Sequence, residues 1–477
     1  MITEELKLDS SYDKKVEEIK YFQEVYVPCN FNIDYHLRVH KPRQFKPSKD
    51  RLLYILNLLM EIPLRDKSLL DQIRVNRQIP FVKLSSQVLK AKIHNYQLYL
   101  NYLIESGVLE TDNHYSVGKF SKGYRFTRRY RQIATTKRIT DVKLDNSEKY
   151  HRDLEEAKKI YPYLISWFDN LDFDKASALK YLKIKFLIEV RVLRNKDVTT
   201  MKHNIYQCSV ARFSKENYYF KVDHYSNRLH TNLSNLKSEL RNFITFKGEK
   251  LTSIDLSGSQ PFLILNLLNP QFYNSENDWF SLKKINYNLS ILISPPVLCA
   301  PIKSIMCGTF EENWIIEEIE TYKQLVKHNQ FYEHCINMFS KIERKRVSRG
   351  EVKEIIFSVL FSSNIDTNPF LVNNKRIFRA VFPFISSVLD AWKAEETNNL
   401  AKVLQKMESY LFLECITRRI NDQRPDIPLF TIHDSIATTE KHVAHVTDIM
   451  FEEISTKTGY NPHFKTEGWT PNNLFAN

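Results

Sequence analysis

Apolar residues at helical spacing open the folded pattern of this chain. Leu52, Leu53, Ile55, Leu56, Leu59 and Met60 recur three and four apart, which predicts a helix over 51–62 with one apolar face. A short helical stretch, LSSQVLKA, and a longer one, NYQLYLNYLIESGVLE, follow, the second stopping at Gly107. Two strand-like pieces come next, HYSVGKF and GYRFTRR, joined through Lys119-Phe120-Ser121-Lys122-Gly123. From about 150 to 200 the spacing is again helical, in DLEEAKKIYPYLISWF and ASALKYLKIKFLIEVRVL. Strand-like aromatic residues lie at 218–222, and two short apolar strands are predicted at LTSID (251–255) and LFTIH (429–433). Residues 1–50 are polar and carry Pro28, Pro42 and Pro47, which reads as an irregular arm. The fold class expected is α+β, mostly helical.

Composition narrows the possibilities. At 477 residues, 43% of them hydrophobic, the chain can bury several cores and is no disordered polymer. With 69 basic against 56 acidic residues it carries a formal charge of +13, which suits a polyanionic partner. Six cysteines show no C-x-x-C pair, so neither a zinc ribbon nor a disulfide framework is expected. Only 9 glycines are present and no G-x-x-x-x-G-K-[ST] string occurs, which argues against a P-loop ATPase. The polar start MITEELKLDSSYDKK does not read as a signal peptide, and the apolar runs at 52–64 and 261–269 are too short or too interrupted to span a bilayer. A soluble cytoplasmic protein of a bacterial or phage-infected cell is expected, and the Lys, Asn and Ile bias fits an AT-rich genome.

The order helix, helix, hairpin over 80–132 resembles a winged helix. Its hairpin and exit carry Lys119, Lys122, Arg125, Arg128, Arg129 and Arg131. Such a basic wing can grip phosphates beside a helix in the major groove, while winged helices also dock proteins and an arginine run can be a solvated face.

Chemistry concentrates in three segments. Asp255 ends one strand, before a turn at Ser257-Gly258-Ser259 and an apolar helix opened by Gln260-Pro261; Asp434 ends another, inside His433-Asp434-Ser435. Two carboxylates on separate strands suit a pair of Mg²⁺ ions, whose shells substrate phosphates and water complete. Either aspartate alone is an ordinary turn residue. Between them, RGEVKEIIFSVLFSS sets Arg349, Lys353, Phe357 and Phe361 four apart along one helical stripe. Two cations suited to a triphosphate and two rings suited to a base and sugar are one reading of that stripe. The other is an amphipathic helix with its Phe side against a core and its cations snorkelling at the edge.

As an ordered set, strand–Asp, R-x-x-x-K-x-x-x-F-x-x-x-F helix and strand–His-Asp resemble motifs A, B and C of the family A DNA polymerases, whose architecture the single-subunit phage RNA polymerases share. Ahead of them, NRLHTNLSNLKSELRNFITFKGEKLTSID is similar to the stretch leading into the family's motif A, with Arg228, Asn232, Asn235 and Arg241 at matching places. The resemblance covers about residues 225–475. It implies a right-hand fold of palm, fingers and thumb, with Asp255 and Asp434 as catalytic metal ligands for two Mg²⁺ ions, Mn²⁺ being a substitute. It implies that Arg349, Lys353, Phe357 and Phe361 bind the nucleoside triphosphate. It further implies that Arg228 and Arg241 touch a primer–template, His433 sits near the primer end, and Gln405 matches a glutamine on the helix before motif C. The domain order expected is an arm over 1–50, a winged-helix-like domain over 51–140, a helical thumb-like region over 141–224, and palm and fingers over 225–477.

The chain departs from the family in three places. Phe361-Ser362 replaces Tyr-Gly. Gln260 replaces a glutamate that gates against the ribose 2′-hydroxyl; its bulk leans towards deoxynucleotides. His433-Asp434-Ser435 is closer to the RNA polymerases than the His-Asp-Glu of the DNA enzymes. DNA-dependent DNA synthesis on a primer–template is therefore the leading expectation. A single-subunit RNA polymerase or primase-like enzyme, with RNA as product or template, remains an alternative, and so does a DNA-binding replication initiator without catalysis. A Ser/His/Asp hydrolase is excluded because neighbouring residues on a strand point to opposite faces. No D-x-E start for a proofreading nuclease is visible in the N-terminal half.

Overall fold

The computed structural model describes residues 23–65, 69, 79–116, 121–145, 147–193, 195–213, 218–274, 280–286, 299–310 and 312–474. The chain is mostly helical α+β and divides into two compact units, one of residues 1–148 and 179–209, the other of 149–178 and 210–477.

In the first unit the 51–62 pattern becomes the helix Lys49–Arg65. Leu52, Ile55 and Leu56 are fully buried, at roughly 1.5–3 kcal/mol for each such side chain. Strand β1 (Gln23–Pro28) pairs antiparallel with β5 (Ala134–Ile139), Gln23 opposite Ile139 and Pro28 opposite Ala134. The polar side of the long helix joins in: Asn57 Oδ1 accepts the Tyr26 amide at 2.8 Å and its Nδ2 donates to Glu61 at 2.9 Å. Residues 23–50 are therefore not an arm. Val25, Tyr26 and Val27 of QEVYVP are all buried, and the prolines fall at a strand end and between helices. Residues 1–22 lie outside the described residues.

Helices Ser86–Lys92 and Tyr96–Glu105 follow, the second closed as expected at Gly107. Gly107 has φ 72°, and the amides of Gly107 and Val108 return to Ile104 and Leu103 at 3.0 and 2.9 Å, a Schellman closure. Strands β2 (Val82–Lys83), β3 (Leu109–Thr111) and β4 (Gly123–Phe126) make a sheet in the order β2-β4-β3. The strand that pairs with β4 here is Leu109–Thr111; of the hairpin strand expected over 114–120, residues 117–120 lie outside the described residues. Leu109 continues the apolar face after the glycine, whereas His114 and Tyr115 are exposed. Lys119 lies outside the described residues.

Two expected phosphate-binding arginines serve the interior of this unit instead. Arg125 Nε meets Glu110 at 2.8 Å, its Nη1 donates to the Ile79 carbonyl at 2.9 Å, and the guanidinium lies 4.1 Å from the Phe81 ring centre. Arg131 bridges Glu110 at 2.7 Å and Asp197 at 3.0 Å. Arg128 and Arg129 are exposed, and Lys122 is half-buried, 5.4 Å from the Tyr115 ring.

The second unit is built around one sheet. Strands β6 (Leu171–Phe173), β9 (Ile244–Phe246), β10 (Glu249–Leu256), β11 (Phe430–Ile432), β12 (Ser435–Thr439) and β13 (Phe464–Gly468) run in the order β11-β12-β10-β9-β6, with β13 also on β10; β7 (Phe220–Val222) and β8 (Leu229–Thr231) form a separate hairpin. β9 and β10 are joined by Lys247-Gly248, both at positive φ (49° and 79°), as a two-residue turn that follows the sheet twist requires. The helix Ser259–Leu267 after β10 is buried along Pro261–Leu267. The expected thumb-like region over 141–224 is not a single body: it divides between the units within the long helix Lys175–Leu193. Its residues 149–178 and 210–224 belong with the sheet, where Tyr161 donates to Glu414 at 3.0 Å. No helix among the described residues is long and apolar enough to cross a membrane.

His36 gives the first unit a pH signature. The ring is buried against Phe31, His40 and Tyr102, with its Nε2 3.0 Å from Ser106 Oγ. Burial, then the charges of His40 and Arg129, pull it from 6.5 down to about 4. The unfolded chain takes up this proton first, so stability present above pH 6.5 is lost as pH falls towards 4. Urea unfolding of the full chain should show a loss on the order of 2–3 kcal/mol across that window, flattened in His36→Gln.

Candidate active site

Strand β10 brings the two aspartates together. It is paired on both sides: Asp255 lies opposite Ser435 of β12 and opposite Lys465 of β13. Cross-strand partners sit about 5 Å apart at Cα, and Asp434 is the residue before Ser435. The Leu256 amide donates to the Asp434 carbonyl at 3.1 Å, fixing the turn against the strand. That turn is His433-Asp434, two residues between β11 and β12, with His433 at φ 55°. A non-glycine residue held at positive φ is a strained position of the kind that gathers at functional sites.

The Asp255 carboxylate is half-buried. Ser253, on the same strand face, donates to it at 3.0 Å. Its proton affinity is raised, first by loss of water and further by the negative charges of Asp434 and Glu467, while hydrogen bonds from Ser253 and Ser435 oppose the rise. The two carboxylates concentrate negative charge, offset in part by Arg241. Their donors are hard oxygens, which fits Mg²⁺; among the described residues no third His, Cys, Asp or Glu completes a ready-made metal cage, so a bound ion here would draw on substrate phosphates and water.

Arg241 is electrostatically linked to the pair. Asp255, Glu467 and Asp434 all act on its charge, and burial lowers its affinity for its proton. Its Nε is shut from solvent without a hydrogen-bond partner among the described residues. Arg228, expected on a primer–template, is instead largely enclosed: its Nη2 meets the buried Glu408 at 2.7 Å. Glu408 sits one turn from Gln405, which is partly buried on the helix Asn399–Ser409. A buried carboxylate draws its counter-ion inward, and removing either partner strands the other.

The helix Arg349–Phe361 brings Arg349 and Lys353 to an open cleft that Asp255 also lines. Ser348 and Glu351 form a capping box at its start. At its other end Lys393, buried, donates to the carbonyls of Val359 (2.7 Å) and Ser362 (3.4 Å), and Lys375 to that of Ser363, satisfying carbonyls at the negative end of the helix dipole. Val352, Ile355, Ile356, Val359 and Leu360 fill the core side. The stripe of Arg349, Lys353, Phe357 and Phe361 is therefore the exposed one, Phe357 at 50% and Phe361 at 41%, with ring centres 5.7 Å apart. The alternative of a Phe side packed in a core fails here.

Asp255, Ser257 and Gly258 line the cleft on one side; Arg349, Lys353, Tyr332 and Asn329 line it on another, with Phe464 and Lys465 completing it. Gly258, at φ 61°, starts the buried helix, and a Cβ added there would stand 3.6 Å from Tyr332. Gln260 does not line the cleft with Asp255, and its Oε1 is enclosed without a hydrogen-bond partner among the described residues. Phe357, Phe361, Asp434 and His433 also stand outside that lining; His433 is half-buried, its ring 6.3 Å from His230. Tyr332, Asn329 and Lys465 carry no motif, so only the fold reveals them.

The raised proton affinity of Asp255 has a signed consequence. In metal-free protein the folded state holds this proton more tightly than the unfolded chain, so stability falls as pH rises through the window above 3.8. Asp255→Asn should raise the urea midpoint in EDTA at neutral pH, with little gain near pH 3. Mg²⁺ should then stabilise the wild type and not the variant.

No family model and no curated protein matches this chain. Among solved structures, the polymerase domain of Pol1 from M. smegmatis in complex with DNA primer-template and dNTP matches at 11% identity, covering 61% of this chain and 55% of that chain, with a TM-score of 0.26. The match thus spans about half of that chain, and at this score it carries no weight for fold or function.

Proposed function

We propose that this protein is a template-directed nucleic-acid polymerase of the family A type, joining deoxynucleotides on a DNA primer–template. The observation that carries the reading is the cleft in which Asp255, beside Asp434, faces Arg349 and Lys353. A carboxylate and two cations lining one cleft suit a substrate that is a polyanion at one end and a metal-assisted electrophile at the other.

In this mechanism Arg349 and Lys353 hold the β- and γ-phosphates by charge-assisted hydrogen bonds. Phe357 and Phe361, half-exposed in line beyond the cations, offer rings to the base and sugar. Asp255 and Asp434 would hold two Mg²⁺ ions, which would supply Lewis acidity at the attacking hydroxyl and the leaving diphosphate. The 3′-oxygen bonds to the α-phosphorus, the α–β anhydride bond breaks, diphosphate leaves, and the hydroxyl proton passes to solvent. Arg241, coupled to both aspartates from its enclosed position, steadies the carboxylates. Exposed Arg128 and Arg129, with Lys122, give the helix–helix–sheet segment a winged-helix-like grip on nucleic-acid phosphates that weakens with salt.

Primer extension with a DNA template tests the proposal. The wild type should extend with dNTPs and Mg²⁺; Asp255→Ala and Asp434→Ala should each lose at least about a hundredfold in rate while keeping DNA binding. Lys353→Ala should raise the nucleotide KM about tenfold or more, the effect of a lost charge-assisted hydrogen bond. Full activity in Asp434→Ala would overturn the reading, and a strong preference for ribonucleotides would reassign the product to RNA.

A further inference from the structure

Arg349 and Lys353 do not stand alone at the cleft. Their common neighbour is Tyr332, near the start of the helix Phe331–Glu343. The Arg349 guanidinium lies 4.5 Å from the Tyr332 ring centre and the Lys353 ammonium 6.0 Å from it. The next residue, Glu333, takes Arg349 Nη1 at 2.5 Å, and both side chains are about half exposed. The ring also approaches the turn that follows Asp255, since Gly258 leaves 3.6 Å to it for an added Cβ. One tyrosine ring thus stacks against Arg349, lies within cation–ring reach of Lys353, and abuts the aspartate's own turn.

We propose that Tyr332 is a positioning residue for polyphosphate binding, and that Glu333 is the resident counter-ion which a polyphosphate displaces from Arg349. This rests on the reading of the cleft as a triphosphate site and adds what sets its affinity. A flat ring attracts a guanidinium or ammonium through its face and leaves the N–H edges free to donate. Arg349 and Lys353 are long and flexible, and without a platform each would lose more rotamer freedom on meeting phosphate. The Tyr332 ring lowers that cost by holding both cations over the cleft beforehand. Glu333 acts in the opposite sense. A single carboxylate on an exposed guanidinium is a weak bond, easily exchanged for a multiply charged phosphate chain. A singly charged anion gains little from the exchange, so Glu333 favours long polyphosphates over weaker anions.

The two residues should therefore move affinity in opposite directions. Inorganic tripolyphosphate, titrated calorimetrically into the full chain without metal, isolates this from catalysis. The wild type should bind it. Tyr332→Leu should weaken binding about fivefold to twentyfold, the effect of two partly solvated cation–ring contacts, while Tyr332→Phe, which keeps the ring, should stay within about twofold. Glu333→Gln should tighten binding about twofold to fivefold. In primer extension the same variants should shift the nucleotide KM in those directions with kcat little changed. If the wild type does not bind tripolyphosphate, the reading of the cleft as a triphosphate site fails. If it binds but Tyr332→Leu matches it, or Tyr332→Phe is as weak as Tyr332→Leu, or Glu333→Gln is unchanged or weaker, this inference alone is overturned. Glu333 is exposed and outside any core, so its variant tests the proposal even if Tyr332→Leu does not fold.

Discussion

Two like charges held side by side by a β-ladder are the constraint on which the second unit turns. Strand β10 is fixed between β12 and β13, and that pairing sets Asp255 opposite Ser435, one residue from Asp434. Backbone hydrogen bonds cannot relax to separate the carboxylates without breaking the sheet. The proton affinity of Asp255 is raised, first by burial and then by the charges of Asp434 and Glu467, and the adjoining turn holds His433 at positive φ. Residues around the pair answer it: Ser253 and Ser435 donate hydrogen bonds, and Arg241 lends charge from an enclosed position. Stability given up at one place and recovered in the surrounding packing is how proteins keep reactive sites.

A second device holds the opposing wall. The helix Arg349–Phe361 is capped at its start by Ser348 and Glu351 and tied at its end by Lys375 and Lys393. With both ends fixed and one face packed by Val352, Ile355, Ile356, Val359 and Leu360, the opposite stripe must face outwards. Burying lysines to satisfy helix carbonyls is costly, and it is tolerable here because each ammonium finds carbonyl oxygens, with Asp390 3.3 Å from Lys393. Tyr332 and Glu333, on the neighbouring helix, then decide how the stripe's two cations are presented.

Several parts of this arrangement were legible before any coordinates. Strand alternation ending in Asp255 and in His433-Asp434, and the four-residue spacing of Arg349, Lys353, Phe357 and Phe361, are local patterns, and the structure brings Asp255, Arg349 and Lys353 to one cleft. The helix stop at Gly107 was equally local, because only a residue at ease with positive φ closes a helix that way. What escaped reading depends on distant partners. Nothing in Arg125, Arg131 or Arg228 signals that Glu110, Asp197 or Glu408 will claim them. Strand β1 was hidden by flanking prolines, and its partner lies more than a hundred residues away. Tyr332 belongs to an ordinary amphipathic helix, and its ring matters only because the fold lays two cations over it.

The metal site proposed at Asp255 and Asp434 can be mapped directly. Iron(II) in place of magnesium, with ascorbate and peroxide, releases hydroxyl radicals that cut the backbone close to the bound ion. Fragments should end within a few residues of both 255 and 434, fade as Mg²⁺ is added in competition, and vanish in Asp255→Asn. Cuts confined to one of the two strands, or scattered elsewhere and indifferent to Mg²⁺, would contradict a common ion between them.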